Sequence, residues 1–428
     1  MTLTSRRTFL LGTGAAVAAV GAVALRPATQ GTPHQTYFAH LNKLLKDAGV
    51  GTPTLVLDLD RVRANAQQVM GHIGGRMALR LVNKSLPCLP LLDELSKQCG
   101  TQRQMVFNLP YLQLVAKERP HVNVLMGKPL PVSAAAAFYR DRAVNTFEPA
   151  RQLQWLIDTP ERLAQYRDLA RQLHTPIQVN IEIDVGLHRG GVSSDEALRH
   201  MAQQIKEEPL LRWAGLMGYD AHTEKVPALA GNRQRARDHA KALYKEYLEV
   251  MLGSGLMIPI EPLTFNTGGS PTYRLHDGSG AANELAIGSA MVKPSDFDTP
   301  LLDDLLPAAF IATPVIKASD HFTAPYGAEW ASQALQWWDP NQRASVFTYG
   351  GNWLAQPVSP EGLANSGLIG KSSNQQILVG SGLQALHPDD FVFFRPTQSE
   401  AVLQQFGDIA VVEQGHLSTR WPVFPAMA

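Results

Sequence analysis

The stretch Met77-Ala78-Leu79-Arg80-Leu81-Val82-Asn83-Lys84 is an apolar run that ends on a lysine shortly before Pro87. A similar run, Pro262-Leu263-Thr264-Phe265-Asn266, leads into the loop Thr267-Gly268-Gly269-Ser270. Such runs alternate with helical patterns, and they lie near residues 77–84, 104–108, 121–126, 153–157, 177–184, 213–219, 261–267 and 284–289. This α/β alternation predicts a (β/α)8 TIM-type barrel. A doubly wound open sheet is the alternative, because periodicity does not show closure.

The remainder of the chain predicts further segments on either side of the barrel. Beyond about residue 300, short strand-like pieces are interrupted by Gly, Pro and Asn, which is typical of an all-β domain. A length of 428 residues also exceeds what one compact core usually holds. We therefore predict a signal segment over 1–30, a linker or a strand packing on the C-terminal domain over 31–51, the barrel over 52–298 and the β domain over 299–428.

The N-terminus carries an export signature. Ser5-Arg6-Arg7-Thr8-Phe9-Leu10 contains a twin arginine, and an apolar run from Leu11 to Leu25 follows it. Ala22-Val23-Ala24 offers small residues for cleavage. The run is slightly shorter than the ~20 residues that span a bilayer. We expect export by the twin-arginine machinery to the periplasm or beyond, with an uncleaved membrane anchor as the alternative.

Charge and cysteine content exclude some classes of protein. Lys plus Arg and Asp plus Glu both number 38, so no overall field favours nucleic acid or anionic lipid as a partner. Cys88 and Cys99 are predicted on one helix, and a rise of about 1.5 Å per residue separates them beyond disulfide reach. The composition is that of an ordinary enzyme without structural disulfides.

Several chemically active side chains fall at the predicted C-terminal ends of barrel strands, where barrel enzymes place their catalytic groups. A lysine in such a position can bind an aldehyde cofactor as a Schiff base, and loops of glycine and hydroxyl residues can hold a phosphate. Together these features predict a site for pyridoxal 5′-phosphate. Its candidate residues are Lys84, Arg189, Tyr219, His222, Thr267, Gly268, Gly269, Ser270, Gly288 and Ser289.

Each of these features also has an ordinary explanation. Arg189 could belong to a surface ion pair, and His222 could be a buried histidine with satisfied hydrogen bonds. Gly268 and Gly269 could simply form a tight turn. Their shared position at strand ends favours the cofactor site.

Several ordered motifs resemble one known enzyme family. They are Thr52-Pro53-Thr54-Leu55-Val56-Leu57-Asp58, Asn83-Lys84-Ser85, Asp184 to Val192, Tyr219 with His222, Thr267 to Ser270, Gly288-Ser289 and the C-terminal stretch from Pro396 to Val423. In this order they are similar to fold-type III pyridoxal phosphate enzymes of the D-threonine aldolase and D-serine dehydratase branch of the alanine racemase superfamily. The resemblance covers nearly everything after the signal. It implies that Lys84 holds the cofactor, that Arg189 lies near its 3′ oxygen and that the protein is a homodimer.

One stretch departs from that branch. The C-terminal domain of its members usually supplies a histidine and, two residues later, a Cys or Asp that bind a divalent metal. Here the corresponding run is Pro396-Thr397-Gln398-Ser399-Glu400. Gln398 and Glu400 offer an amide oxygen and a carboxylate, which suit Mg²⁺ or Mn²⁺ better than Zn²⁺. We expect these two residues to face the cofactor and to control the type of reaction.

The resemblance leaves three functions open. The leading hypothesis is a lyase that acts on 3-hydroxy D-amino acids, either an aldolase or a dehydratase, with Lys84 as the base for an α-proton and Gln398 and Glu400 as groups that bind the hydroxyl or transfer protons. The second is an amino-acid racemase, for which Tyr349 is a candidate second base by residue type alone. The third is a non-catalytic protein of the envelope that binds the cofactor or an amino acid.

Overall fold

A computed structural model of the chain describes residues 26–141, 146–257 and 262–425. The predicted twin-arginine signal and most of its cleavage region lie outside the described residues. Within these ranges, none of the helices has both the length and the apolar character needed to cross a membrane.

The centre of the fold is a closed barrel of eight parallel strands. After a first strand, β1 (Thr54–Asp58), the barrel strands are β2 (Ala78–Val82), β3 (Arg103–Val106), β4 (Asn123–Met126), β5 (Leu153–Ile157), β6 (Ile177–Glu182), β7 (Leu211–Gly218), β8 (Thr264–Thr267) and β9 (Glu284–Ile287). The ring closes where β2 pairs in parallel with β9, with Leu81 opposite Ile287. The predicted (β/α)8 barrel is confirmed, and the open sheet is excluded.

Helices alternate with the barrel strands along the chain, and one further helix, α1, precedes them. The α-helices of this part of the chain are α1 (Thr36–Asp47), α2 (Leu59–Ile73), α3 (Leu89–Cys99), α4 (Leu109–Glu118), α5 (Val132–Asp141), α6 (Pro149–Gln152), α7 (Pro160–Leu173), α8 (Asp195–Glu207) and α9 (Asn232–Leu252). Several begin at residues whose side chains cap a helix: Asn108 accepts a hydrogen bond from the N–H of Tyr111, and Ser194 accepts one from Ala197. Such caps fix where each helix leaves its strand.

The later part of the chain is mostly antiparallel sheet, as predicted. Its elements are β10 (Ala309–Ser319), α10 (Glu329–Trp338), β11 (Ala344–Tyr349), β12 (Ala355–Ser359), β13 (Ala364–Asn365), β14 (Gln375–Gly380), β15 (Phe391–Pro396), β16 (Ile409–Glu413) and β17 (His416–Trp421). Strand β10 pairs with both β11 and β15, β14 pairs with β11 and β13, and β12 pairs with β15. Short 3-10 helices lie at Ala221–Glu224, Leu229–Gly231, Tyr273–Leu275, Ser289–Met291, Ser295–Phe297, Pro300–Leu302 and Pro340–Gln342.

The chain divides into two compact units, and their boundaries differ from the predicted ones. The β unit contains the described residues up to Val56, with Phe310–Pro396 and Gly415–Leu417. The barrel unit contains Leu57–Ala309, Thr397–Gln414 and the described residues from Ser418 onward. The stretch Thr397–Gln414, expected in the β domain, belongs to the barrel unit. One reason is a hydrogen bond of 3.1 Å from the N–H of Asp296 to the carbonyl of Thr397.

The segment 31–51 also differs from its prediction as a linker or a strand. It contains helix α1, on which Leu41 and Leu45 are buried four residues apart. Phe38 packs edge-on against Phe310, with 5.1 Å between the ring centroids. Because residues at i and i+4 share one face of a helix, this apolar spacing favours a helix that covers the β unit.

Candidate functional site

Lys84 lies in the turn that follows β2, at the C-terminal end of the barrel. Its side chain lines a cleft within the barrel unit and is 40% exposed, so its ammonium group is accessible. The Nζ atom lies 4.8 Å from the centroid of the Phe107 ring, a distance at which the ring face attracts a cation. Lys84 is therefore the open, strand-end lysine that the sequence predicted.

Glu400 is the carboxylate that faces Lys84 in this strand-end cleft. Its Oε1 lies 3.8 Å from Nζ of Lys84. The Ser399 hydroxyl donates to Oε2 of Glu400 at 3.2 Å, and the Ser85 hydroxyl approaches the same oxygen at 3.5 Å. The two hydroxyls fix the orientation of the carboxylate, which leaves Oε1 directed toward the lysine.

Glycines and hydroxyl residues at the ends of β8 and β9 form one wall of the cleft. A Cβ atom on Gly269 would lie 2.7 Å from the Tyr219 ring, and one on Gly288 would lie 2.9 Å from Cβ of Val82. Ser270 Oγ accepts hydrogen bonds from the N–H groups of Gly288 (3.3 Å) and Ala290 (3.0 Å). The second loop thus holds the Ser270 hydroxyl in place, and Gly269 and Gly288 leave space in the cleft that a side chain would fill.

Arg189 and Tyr219 also line the cleft, with the Tyr219 ring against Gly269. The guanidinium carbon of Arg189 lies 5.0 Å from the centroid of the Tyr219 ring. Burial raises the pKa of the Tyr219 hydroxyl, and the charge of Arg189 offsets part of that rise. Tyr219 is consequently neutral near pH 7, and it presents a flat ring surface with a cation beside it.

Two other predicted residues do not line the cleft. The Thr267 hydroxyl donates to the carbonyl of Gly218 at 2.9 Å and joins the ends of β8 and β7. His222 lies against Gly186: a Cβ atom added to Gly186 would be 3.2 Å from Nε2 of His222. Burial lowers the pKa of the His222 imidazole. Thr267 thus supports the glycine loop, and His222 supports the turn that carries Arg189. A direct contact of either residue with the cofactor stays a prediction.

Gln398 also lies outside the cleft lining, contrary to our expectation. Its side chain is exposed and donates to Oδ2 of Asp296 at 3.0 Å. Residues two apart share a face only in an extended strand. Here the chain turns immediately, because the N–H groups of Val402 and Leu403 donate to the carbonyl of Ser399. Gln398 and Glu400 therefore point to different surroundings.

The same geometry bears on the divalent metal. Gln398 and Glu400 do not converge, and Glu400 already contacts two hydroxyls and an ammonium group. Across the described ranges, no group of three or more His, Cys, Asp and Glu side chains is arranged to hold a metal ion. Gln398 and Glu400 therefore do not form the shared Mg²⁺ or Mn²⁺ site that their residue types would suit.

The residues of the site that were not predicted from the sequence include Ser85, Phe107 and Ser399. Each is adjacent to a predicted feature, because Ser85 follows Lys84, Ser399 precedes Glu400 and Phe107 directly follows β3. Another carboxyl group, Glu182, ends β6, close to the turn that carries Arg189. Burial, followed by the nearby charge of Asp158, raises the pKa of Glu182 to about 7.

Comparisons with known proteins agree with this architecture. Residues 57–294 match the family described as alanine racemase, N-terminal domain. A 3-hydroxy-D-aspartate aldolase from Paracoccus denitrificans (strain Pd 1222) is 24% identical over 258 residues, which are 59% of this chain and 63% of that protein. A D-threonine aldolase from an Arthrobacter species is 26% identical over 254 residues, 58% of this chain and 63% of that protein. The chain thus matches somewhat less than two thirds of the length of these relatives.

Among solved structures, the D-threonine aldolase from Filomicrobium marinum has the same fold. Its TM-score is 0.68 at 20% sequence identity, and the match covers 87% of this chain and 97% of that structure. The family match spans more than half of the chain and contains all eight strands of the barrel. The chain belongs to the family of the alanine racemase N-terminal domain.

Proposed function

We propose that this protein is a pyridoxal phosphate-dependent lyase that acts on 3-hydroxy D-amino acids. The observation that carries this proposal is the pairing of Lys84 with Glu400, 3.8 Å apart, in a cleft walled by glycines and hydroxyls. The relatives named above support the substrate class, since the names of both describe aldolases for D-amino acids with a 3-hydroxyl group.

The side chains of the cleft fit the cofactor. Lys84 would hold its aldehyde carbon, and Ser270, Ser289 and the glycine backbone would hold its phosphate. Gly269 and Gly288 support this assignment, because any larger residue would collide with Tyr219 or Val82. When bound, the cofactor supplies an electron-withdrawing ring that stabilises negative charge at the substrate α-carbon.

The remaining chemistry is assigned to the side chains of the chain. Once released from the cofactor, Lys84 can take or return a proton at its Nζ atom. Glu400 binds the 3-hydroxyl group of the substrate and exchanges a proton with it at Oε1, while Ser85 and Ser399 keep the other oxygen in place. Arg189 and Tyr219 orient the bound molecules through charge and ring contact.

No step of this scheme is assigned to a metal ion. Glu400 is held by hydroxyls and an ammonium group, and Gln398 donates to Asp296. We therefore expect turnover to continue after treatment with a chelator that removes zinc. Stoichiometric zinc in the purified protein, with turnover lost on its removal, would show that Glu400 has been assigned the wrong role.

The product spectrum tests the proposal. Purified protein with the cofactor is incubated with D-serine, D-threonine and 3-hydroxy-D-aspartate, and aldehyde, keto acid and L-isomer are measured. Aldehyde or keto acid that depends on Lys84, as judged with Lys84→Ala, supports a lyase and distinguishes an aldolase from a dehydratase. Only L-isomer would establish the racemase instead, and no product from any D-amino acid would favour the binding protein.

A further inference from the structure

A helix of the β unit presents an apolar face to solvent. On α10, Trp330 is 72% exposed and Trp337 is 62% exposed, and Ala334 lies exposed between them. Positions 330, 334 and 337 share one side of an α-helix. Just before the helix, Tyr326 is fully exposed. Tyr326, Trp330, Ala334 and Trp337 are called the aromatic face below.

The opposite side of α10 is fixed to the β unit. Ser332 is buried, and the Gln336 amide donates to the carbonyl of Phe322. Phe322 is itself buried with Ile377 and Val379 in a cluster of the β unit. The helix therefore has a defined inner side, and its two outward tryptophans are not displaced core residues.

The start of the described chain is bonded to the end of this helix. Arg26 Nε donates to the carbonyl of Trp338 at 3.1 Å. The Asn341 amide donates to the carbonyl of Ala28 at 2.9 Å, and the N–H of Gln30 donates to Oδ1 of Asn341 at 2.7 Å. These bonds place Arg26 within hydrogen-bond distance of the helix that carries the aromatic face.

The segment that precedes Arg26 in sequence is apolar. Residues 9–25 contain no charged side chain. This segment of 17 residues is slightly shorter than the ~20 residues that span a bilayer. Tryptophan and tyrosine are the residues that accumulate where a membrane meets water. We propose that the aromatic face of α10 lies in the surface of a lipid bilayer, beside the point where the apolar N-terminal segment joins the folded chain.

Lipid is a better occupant than a second copy of the chain. A helix of ten residues is about 15 Å long and about 10 Å wide, so one face is small beside the ~800 Å² that each partner buries in a standard interface. Contact with lipid needs only a few aromatic anchors. Because positive and negative side chains are equal in number, the chain has no net charge that attracts anionic lipid, and neutral lipid is the appropriate probe.

Tryptophan fluorescence of the full chain tests this proposal without any measurement of turnover. The protein is mixed with phosphatidylcholine vesicles whose acyl chains carry or lack bromine, which quenches nearby tryptophans. We expect brominated lipid to quench the parent protein, and we expect Trp330→Phe with Trp337→Phe to abolish most of that quenching. The matched control is Trp421→Phe, which removes a half-buried tryptophan of the barrel unit and should leave the quenching by lipid unchanged.

Three results would overturn the proposal. The first is equal quenching by lipid in the parent and the double variant. The second is the absence of quenching in the parent. The third is protection of Trp330 and Trp337 from aqueous iodide without vesicles, as shown by comparison with the double phenylalanine variant. If Trp330→Ser with Trp337→Ser then converted a dimer to a monomer, the occupant would be a second copy. If the two tryptophans were protected from iodide in a monomer, the occupant of the aromatic face would be the segment 9–25 of the same chain.

Discussion

Arg80 and Lys84 lie four residues apart, on β2 and in the turn after it, yet their surroundings are opposite. Arg80 is fully buried inside the barrel and uses every N–H of its guanidinium, toward the carboxylate of Glu284, the carbonyls of Gln104 and Asn123 and the side chain of Asn123. Lys84 is 40% exposed and has one carboxylate at 3.8 Å. One cation is saturated with partners, whereas the other retains capacity for a ligand.

The difference between the two cations shows which part of the barrel is available for chemistry. A buried ion pair such as that of Arg80 and Glu284 cannot exchange partners without a large penalty, so it fixes the barrel interior. Its carboxylate also receives Arg103 at 2.8 Å. Burial would raise the pKa of Glu284, but Arg80 and Arg103 lower it overall. Lys84 makes no comparable buried ion pair, so a covalent bond at its Nζ atom would not disrupt the barrel interior.

The same substitution at both cations gives the largest expected difference in stability. Arg80→Met removes the main partner of the buried Glu284, so we expect it to lower the free energy of unfolding by about 3–5 kcal/mol. Lys84→Met, measured without cofactor, should change it by no more than about 0.5 kcal/mol, because the side chain is partly exposed and weakly paired. Urea unfolding followed by circular dichroism compares the two variants. Equal losses of unfolding free energy in the two variants would contradict the distinction between a structural Arg80 and an available Lys84.

A second pair of variants separates Glu400 from its neighbour. Glu400→Gln removes the carboxylate that faces Lys84, and we expect turnover to fall about 100-fold, or ~2.7 kcal/mol, while the cofactor stays bound. Gln398→Ala is the matched control, because the Gln398 side chain is exposed and lies outside the cleft lining. Its turnover should equal that of the parent. A comparable loss in the control would show that the whole turn, and not the Glu400 carboxylate, controls the reaction.

The smallest expected effect is a pH-dependent change in the stability of the folded chain, caused by Glu182. Its pKa rises from 4.5 to about 7 in the folded chain, mainly through burial. Between these values the folded protein keeps a proton that the unfolded chain has lost, so the stability of the parent falls as pH rises through this range. Glu182→Gln should lack that fall and be the more stable of the two proteins above pH 7. Melting curves of both proteins from pH 4 to pH 8 measure this difference, and parallel pH profiles would contradict it.

Much of the barrel and its site could be predicted because the signals are local. Each barrel strand is an apolar run, and Lys84 and the glycine loops sit where those runs end. The parts that escaped prediction depend on distant pairs. Arg80 and Glu284 are separated by 204 residues, and Ser85 and Glu400 by 315. Such distances leave no pattern within a window of sequence.

The separation of Gln398 from Glu400 has a local cause. The resemblance treated positions 398 and 400 as equivalent partners, but the turn after Ser399 rotates one side chain away from the other. Helix α1 was not predicted for the segment 31–51, although Leu41 and Leu45 have the spacing of one helix face. The export signal and the homodimer stay predictions.

The most direct test of the account is to locate the lysine that binds the cofactor. The full chain is incubated with pyridoxal 5′-phosphate, reduced with borohydride, digested and mapped by mass spectrometry. The account predicts one modified peptide, which contains Lys84, and no modified peptide in Lys84→Ala. Stable modification of a different lysine, or an unmodified parent under conditions that support turnover, would contradict the assignment of Lys84 as the cofactor-binding residue.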